Sequence, residues 1–182
     1  MAKLVSKIYG DALFESAVEG RILDQVAEEV SALETILEEN ADLTALLNHP
    51  KIVKEEKTEV LKNIFSDRVS GEVMGFLVTV VEKDRQDELK AICDYFLARV
   101  KEYKKIGVAQ VTSAVALTDA QKLQVKARLL ETTSYVEFEM NYFVDPALIG
   151  GLVIRIGDRV VDSSVRTQLG EITKDLMKLQ LA

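Results

Sequence analysis

Hydrophobic positions in the first 105 residues recur every three or four residues, which is the period of an α-helix. The clearest stripe should end at Asn40, and a short helix should stop before Pro50 because proline disfavours helix at the preceding residue. Ser70 is expected to cap a later helix. The polar segment from Asp84 to Asp87 separates the last two helices. Short polar connections predict six helices packed as a bundle. Their apolar positions are Val5, Ile8, Tyr9, Ala12 and Leu13; Ile22, Val26, Val30, Leu33 and Leu37; Leu43, Leu46 and Leu47; Val60, Leu61, Ile64 and Phe65; Val73, Phe76, Leu77, Val80 and Val81; and Leu89, Ile92, Cys93, Phe96, Leu97 and Val100.

The hydrophobic period changes to two after Gly107, which is typical of β-strands with one face in water. Alternation is strict from Val136 to Val144, whereas residues 108–115 form a weaker strand candidate. Two further apolar segments, 152–156 and 159–162, are separated only by a Gly-Asp pair. That spacing predicts a tight β-hairpin.

Two helices are predicted among these strands. The pattern Thr118-Asp119-Ala120-Gln121 is a capping box that opens a helix between the first two strands. The last helix is amphipathic, with apolar residues at Val165, Leu169, Ile172, Leu176 and Leu179. The fold class is therefore predicted as α+β: an N-terminal six-helix bundle, residues 1–105, followed by a small α/β domain, residues 106–182, whose sheet contains the hairpin.

Composition and charge limit the partners of the chain. Its 182 residues are 48% hydrophobic and 29% charged, so a packed core is expected. The net charge of −7 disfavours nucleic acids and anionic membrane surfaces. Residues 1–105 carry −6 of that charge, which makes the first half the better candidate for a cationic or amphipathic partner helix.

The chain also has no predicted signal peptide or membrane span. Polar residues interrupt the N-terminal segment, and the longest apolar run, Met74 to Val81, is too short to cross a bilayer. Cys93 is the only cysteine, so no intrachain disulfide can form. We therefore expect a soluble, cytoplasmic protein.

Candidates for chemistry are few, and each has a structural interpretation. His49 is the only histidine, which excludes a multi-histidine metal site, and Cys93 is expected on a buried helical face. Gly150-Gly151 lacks the spacing of a phosphate-binding loop and precedes a strand, so a turn or a bulge is predicted there. No catalytic residue, cofactor or metal site is predicted.

Four carboxylates, Asp145, Asp158, Asp162 and Glu171, keep one enzymatic alternative open. Carboxylates near one another can bind magnesium or perform acid–base chemistry. Asp158 is expected in the hairpin turn, Asp145 at a strand end, and Asp162 before a helix start, where it would complement the helix dipole. Structural roles therefore account for three of them.

Apolar side chains on the first and fifth helices exceed what one buried stripe needs. Core packing explains most of them, but a groove between two helices could accept a third, amphipathic helix. The candidate partner-binding residues are Tyr9, Leu13, Phe14, Phe76, Leu77, Val80 and Val81.

The segment from Asp145 to Val165 resembles the C-terminal signature of the ATP synthase delta subunit family, which includes the mitochondrial oligomycin-sensitivity-conferring protein. Its pattern is Asp-Pro, an apolar step, Gly-Gly, a strand, Gly-Asp, a strand and a final helix. Tyr9-Gly10-Asp11-Ala12-Leu13-Phe14 resembles the family's opening Tyr-Ala-x-Ala-Leu-Phe. Gly10 stands where alanine is usual, which should weaken the first helix, and Ser163 stands where glycine is usual.

The resemblance implies a non-catalytic connector in a rotary, proton-translocating ATP synthase. Its N-terminal bundle would bind the N-terminal segments of the alpha subunits in a groove between the first and fifth helices. Its C-terminal domain would contact the b subunits of the peripheral stalk. The protein would thus lie at the cytoplasmic face of the inner or plasma membrane, held there only through the complex. The alternatives are a generic helical adaptor or chaperone cofactor, and a magnesium enzyme using residues 145–162.

Overall fold

The computed structural model describes the backbone of residues 2–65 and 68–180, and the side chains of residues 4–65, 68–174 and 177. The chain divides into two compact units, Met1–Lys101 and Glu102–Ala182. The division falls a few residues before the predicted position between residues 105 and 106. The predicted α+β class is confirmed, with eight α-helices and one four-stranded mixed sheet in the described residues.

The first unit is helical throughout. Its helices surround one apolar core, to which each of them contributes side chains. They are α1 (Ala2–Glu19), α2 (Leu23–Glu39), α3 (Ala41–Leu47), α4 (Lys54–Phe65), α5 (Gly71–Glu82) and α6 (Leu89–Tyr103). Helix α1 contacts α2 and α5, α2 contacts α3 and α5, and α4 contacts α5. A short 3-10 helix, Gln86–Glu88, precedes the last of them.

Local capping chemistry marks where α2 ends and where α5 begins. Asn40 ends α2 and immediately precedes α3, as the sequence predicts. Ser70 is the N-cap of α5, and its Oγ accepts a hydrogen bond from Val73 N at 3.5 Å. Glu29 of α2 reinforces this cap, because its Oε2 accepts bonds from Ser70 N at 2.8 Å and from Ser70 Oγ at 2.7 Å. The cap therefore also ties α2 to the start of α5.

The second unit is built on one four-stranded sheet. Its elements are β1 (Ile106–Ser113), α7 (Asp119–Thr132), β2 (Glu137–Val144), the 3-10 helix Pro146–Leu148, β3 (Leu152–Ile156), β4 (Arg159–Asp162) and α8 (Val165–Gln180). The order of strands in the sheet is β2-β1-β3-β4. Strands β1 and β2 are parallel, and the other two pairs are antiparallel. Helix α7 connects β1 to β2 and packs on one face of the sheet through Leu129 and Val125.

Three sequence predictions for this unit are confirmed. The capping box is complete, since Thr118 Oγ1 accepts from Gln121 N and the Gln121 side chain accepts from Thr118 N. Ile156 pairs with Arg159, so Gly157 and Asp158 alone form the hairpin turn. Gly150 and Gly151 lie in the turn before β3.

The weaker strand prediction is confirmed, but the strand begins and ends two residues earlier than predicted. Strand β1 ends at Ser113, leaving Val115 exposed beyond it, and β1 is the central strand that pairs with both β2 and β3. Alternation is weak in the sequence because Gly107 and Ala109 fill its inward positions. In β2, by contrast, only Phe138 of the predicted apolar face is fully buried.

Candidate partner-binding surfaces

The single histidine and the single cysteine have structural environments. His49 lies in the exposed turn after α3, where its Nδ1 accepts a hydrogen bond from Lys51 N at 3.2 Å. Cys93 is buried in the core of the first unit. Burial raises the pKa of the Cys93 thiol to about 12, and the nearby carboxylates of Glu34 and Asp94 add to the effect. A thiol in this state is a poor nucleophile.

The carboxylates of the signature segment fix local backbone. Asp145 Oδ1 accepts from Ala147 N at 3.0 Å and so begins the short 3-10 helix. Asp162 accepts from Ser164 N and from Thr167 Oγ1, both at 2.8 Å, which lowers the pKa of Asp162 and anchors the start of α8. Over the described residues, no group of three or more His, Cys, Asp or Glu side chains could hold a metal ion.

The seven predicted partner-binding residues fall into two groups. Leu13, Leu77, Val80 and Val81 belong to the core of the first unit, and none exposes more than 5% of its surface. They hold α1 and α5 within the fold, so the assignment of these four to a partner surface is corrected. The remaining three residues, Tyr9, Phe14 and Phe76, are half-buried at the margin of the same core.

The buried face of helix α1 is formed largely by other residues than those of the predicted apolar stripe. Ser6, Gly10, Leu13 and Ala17 point inward, at the helical spacing of four, three and four residues. These residues are mostly small and allow close approach of neighbouring helices. The helical pattern predicts Ile8 in the apolar stripe of this helix, but its side chain is 57% exposed.

Leu4, one turn before Ile8, is also exposed, and neither residue is among the partner-binding residues predicted from the sequence. The two side chains lie on one outer face, since residues four apart on a helix are neighbours. The row of small residues on the opposite face is the sequence signal that could have revealed them.

A polar cluster fixes the side of α1 that faces α6. Tyr95 Oη donates to Asp11 Oδ1 at 3.0 Å, and Arg99 Nε lies 3.8 Å from the same oxygen. The Arg99 guanidinium also stacks over the Phe14 ring, 5.6 Å from its centroid. One face of Phe14 is therefore already occupied by a cation–π contact.

Acidic side chains meet where α2 faces α6. A hydrogen bond shared with Asp94 raises the pKa of Glu34, and burial and the charge of Asp94 act in the same direction. Lys90 Nζ pairs with Glu38 Oε1 at 2.6 Å, but both side chains are about half exposed. Such a pair contributes little stability. Glu34, Glu38 and Asp94 thus form a negatively charged surface. Lys90 partly neutralises it where it pairs with Glu38.

Helix α8 presents a second apolar surface, in the second unit. Leu169 is 50% exposed and Ile172 is 57% exposed, although both belong to the predicted apolar stripe. The side chains of Leu176 and Leu179 lie outside the described part of the structure. The helix contacts the 3-10 helix Pro146–Leu148 near its start. No helix in the described residues is long and apolar enough to cross a membrane.

Comparison with known proteins identifies a family and close relatives. The family described as ATP synthase delta (OSCP) subunit matches residues 5–176. The ATP synthase subunit delta of Lachnoclostridium phytofermentans is 56% identical over 181 residues, which cover all of both chains. The ATP synthase subunit delta of Synechocystis sp. is 36% identical over 92% of this chain and 91% of the relative.

A solved structure has the same fold. A chain in the cryo-EM structure of the Toxoplasma gondii mitochondrial ATP synthase hexamer aligns with a TM-score of 0.74, covering 94% of this chain and 97% of its own length. The two sequences are only 19% identical, so this likeness bears on architecture alone.

Proposed function

Because the chain belongs to the ATP synthase delta (OSCP) subunit family, we propose that it is the stator connector of a rotary ATP synthase. In this role it ties the catalytic head to the peripheral stalk, so that the head does not turn with the rotor. The connector is non-catalytic, and ATP chemistry and proton movement belong to other subunits. It is held at the cytoplasmic face of the inner or plasma membrane through the complex. Homology over residues 5–176 supports the role for both units.

The helical unit binds the amphipathic N-terminal segments of the alpha subunits. The observation that carries this proposal is the exposed pair Leu4 and Ile8, which continues outward from half-buried Tyr9 on a helix that contacts α5. A partner helix could bury these side chains and leave the core undisturbed. The net charge of −6 over residues 1–105 favours a segment that carries basic residues.

The second unit contacts the b subunits of the stalk. The exposed stripe of α8, with Leu169 and Ile172, supports this assignment because an amphipathic helix normally buries its apolar side. A stator must resist torque for long periods, so slow dissociation matters more than fast association. Buried apolar anchors on both units would provide it.

The head-binding half of the proposal can be tested with Ile8→Gln. The full-length chain is titrated by calorimetry with a synthetic peptide of the alpha-subunit N-terminal segment. Loss of one central apolar anchor should weaken binding by roughly tenfold. The fold should persist, because the side chain lies outside the core.

Ile64→Gln is the matched control for this experiment. Ile64 is also a helical isoleucine, on α4, and is 38% exposed. Its substitution should leave peptide affinity unchanged. Equal affinity of the wild type and Ile8→Gln would refute the role assigned to the outer face of α1.

A further inference from the structure

An uncharged cleft opens at one edge of the second unit. It lies where the end of β1, the first turns of α7 and the loop before β3 meet, and its volume is about 390 Å³. None of the described residues that line it is charged, in a chain that is 29% charged. Its apolar walls are formed by Val115, Leu117, Val125, Ile149 and Leu152.

Ile149, on the rim of this cleft, has a strained backbone. Its φ of 68° and ψ of −42° lie in a region that β-branched residues rarely adopt, near the strained γ-turn of positive φ. Glycine or asparagine would tolerate positive φ better. The side chain is 66% exposed, so the fold gains little from burying it. The backbone strain at Ile149 is not offset by burial of its side chain. We therefore expect this side chain to have a role outside the fold, such as contact with a partner.

The surrounding loop holds Ile149 in place. Val165 N, at the start of α8, donates to Gly150 O at 3.0 Å. Gly151 follows with φ of 79°, and a Cβ there would lie 2.2 Å from Ser163 O, so only glycine fits. The side chain of Ile149 is therefore presented by a rigid turn, which lowers the entropy cost of binding.

The same contacts connect the cleft to α8. Val165 is the first residue of the α8 stripe, and its side chain lies 3.1 Å from where a Cβ on Gly150 would be. Leu169 follows one turn later on the same face of the helix. The cleft and the surface proposed for stalk binding thus adjoin through one loop. Because none of the described residues that line the cleft is charged, an apolar, uncharged segment is favoured as its occupant.

We infer that Ile149 is an anchor residue for the peripheral stalk, and that the cleft beside it receives an apolar side chain of the stalk subunit. This inference rests on the proposed function and deepens its stalk-binding half. It assigns a binding role to the Asp145–Gly151 segment. The hydrogen bonds of this segment by themselves indicate only a structural role. The strain at Ile149 is retained because the side chain is needed at the interface.

Ile149→Gly separates binding from folding in the full-length chain. The probe is the purified soluble part of the b-type stalk subunit of the same synthase, and affinity is measured by calorimetry. Binding should weaken by roughly tenfold or more. The thermal midpoint should not fall, because glycine relieves the backbone strain. Val115→Ser, at another residue that lines the cleft, should also weaken stalk binding and provides an independent variant.

Leu123→Ala is the control, since Leu123 is an exposed leucine of α7 that does not line the cleft. It should bind the stalk like the wild type. If the wild type binds and both cleft variants bind equally well, the inference is overturned while the proposed function stands. If the wild type itself fails to bind the stalk, the stalk half of the proposed function and this inference fail together.

Discussion

At the scale of single residues, the lack of a side chain at Gly10 determines how closely α1 can approach α6. A Cβ on Gly10 would lie 2.5 Å from Cδ1 of Tyr95, which is too close for any side chain. Glycine inside a helix costs up to about 1 kcal/mol relative to alanine. Here the cost is offset, because Tyr95 can lie against α1 and donate to Asp11. The apparent weakness in the sequence is therefore a packing requirement.

Gly10→Ala should lower the free energy of unfolding by about 1–2 kcal/mol despite its better helix propensity, because the crowding outweighs the gain. Gly75→Ala is the matched control within the first unit, since a Cβ on Gly75 meets nothing within 4 Å. It should raise the free energy of unfolding by about 0.5–1 kcal/mol. Urea unfolding of the two variants measures both effects, and changes of equal sign would contradict the packing role of Gly10.

At the scale of elements, the contact between α2 and α6 brings like charges together. Glu34 shares a hydrogen bond with Asp94, with Glu38 and Lys90 nearby. A carboxyl group whose pKa is raised by folding binds its proton more tightly in the folded state. Its stabilising contribution is complete below the ordinary carboxyl pKa and is lost as the pH rises through the raised value. The contact between α2 and α6 therefore contributes more to stability in acid than at neutral pH.

Glu34→Gln should therefore stabilise the chain at pH 7, because the amide stays neutral and can still donate a hydrogen bond to Asp94. We expect a gain of up to about 1 kcal/mol, since the site is partly exposed to solvent. The gain should shrink towards pH 4, where the wild-type carboxyl is protonated. Urea unfolding at both pH values measures this. Glu28→Gln, at an exposed position of the same helix, should give the same small change at both pH values.

Elements with local determinants were predictable from the sequence, and elements defined by tertiary contacts were not. Ser70 and Thr118 mark helix starts because capping depends on residues within one turn. The central place of β1 depends on two distant strands, and its inward Gly107 and Ala109 weaken the hydrophobic signal. Likewise, the full burial of Val80 and the partial exposure of Phe76 depend on how α5 packs, which helical spacing alone does not show. The role inferred for Ile149 could not be predicted, because the sequence does not show that the φ angle of this residue is positive.

At the scale of the whole molecule, a connector needs two separate binding surfaces. The first unit has an exposed apolar face on α1, and the second has one on α8 with the adjoining cleft. Each surface lies on a unit with its own hydrophobic core, so one surface can be altered without unfolding the other unit. Sequence motifs gave the family, but only the burial of each side chain distinguishes core residues from those available to partners.

Loss of either surface should uncouple the synthase in the same way. We expect Ile8→Gln, and separately the double variant Leu169→Gln/Ile172→Gln, to reduce ATP-driven proton pumping by a reconstituted synthase, because the head would no longer be held against the rotor. ATP hydrolysis should continue, since the proposed connector takes no part in it. Pumping is followed by quenching of a pH-sensitive dye in vesicles, with Ile64→Gln and Leu123→Ala as controls that retain it. Parallel loss of hydrolysis and pumping would indicate failed assembly of the head and contradict a purely mechanical role.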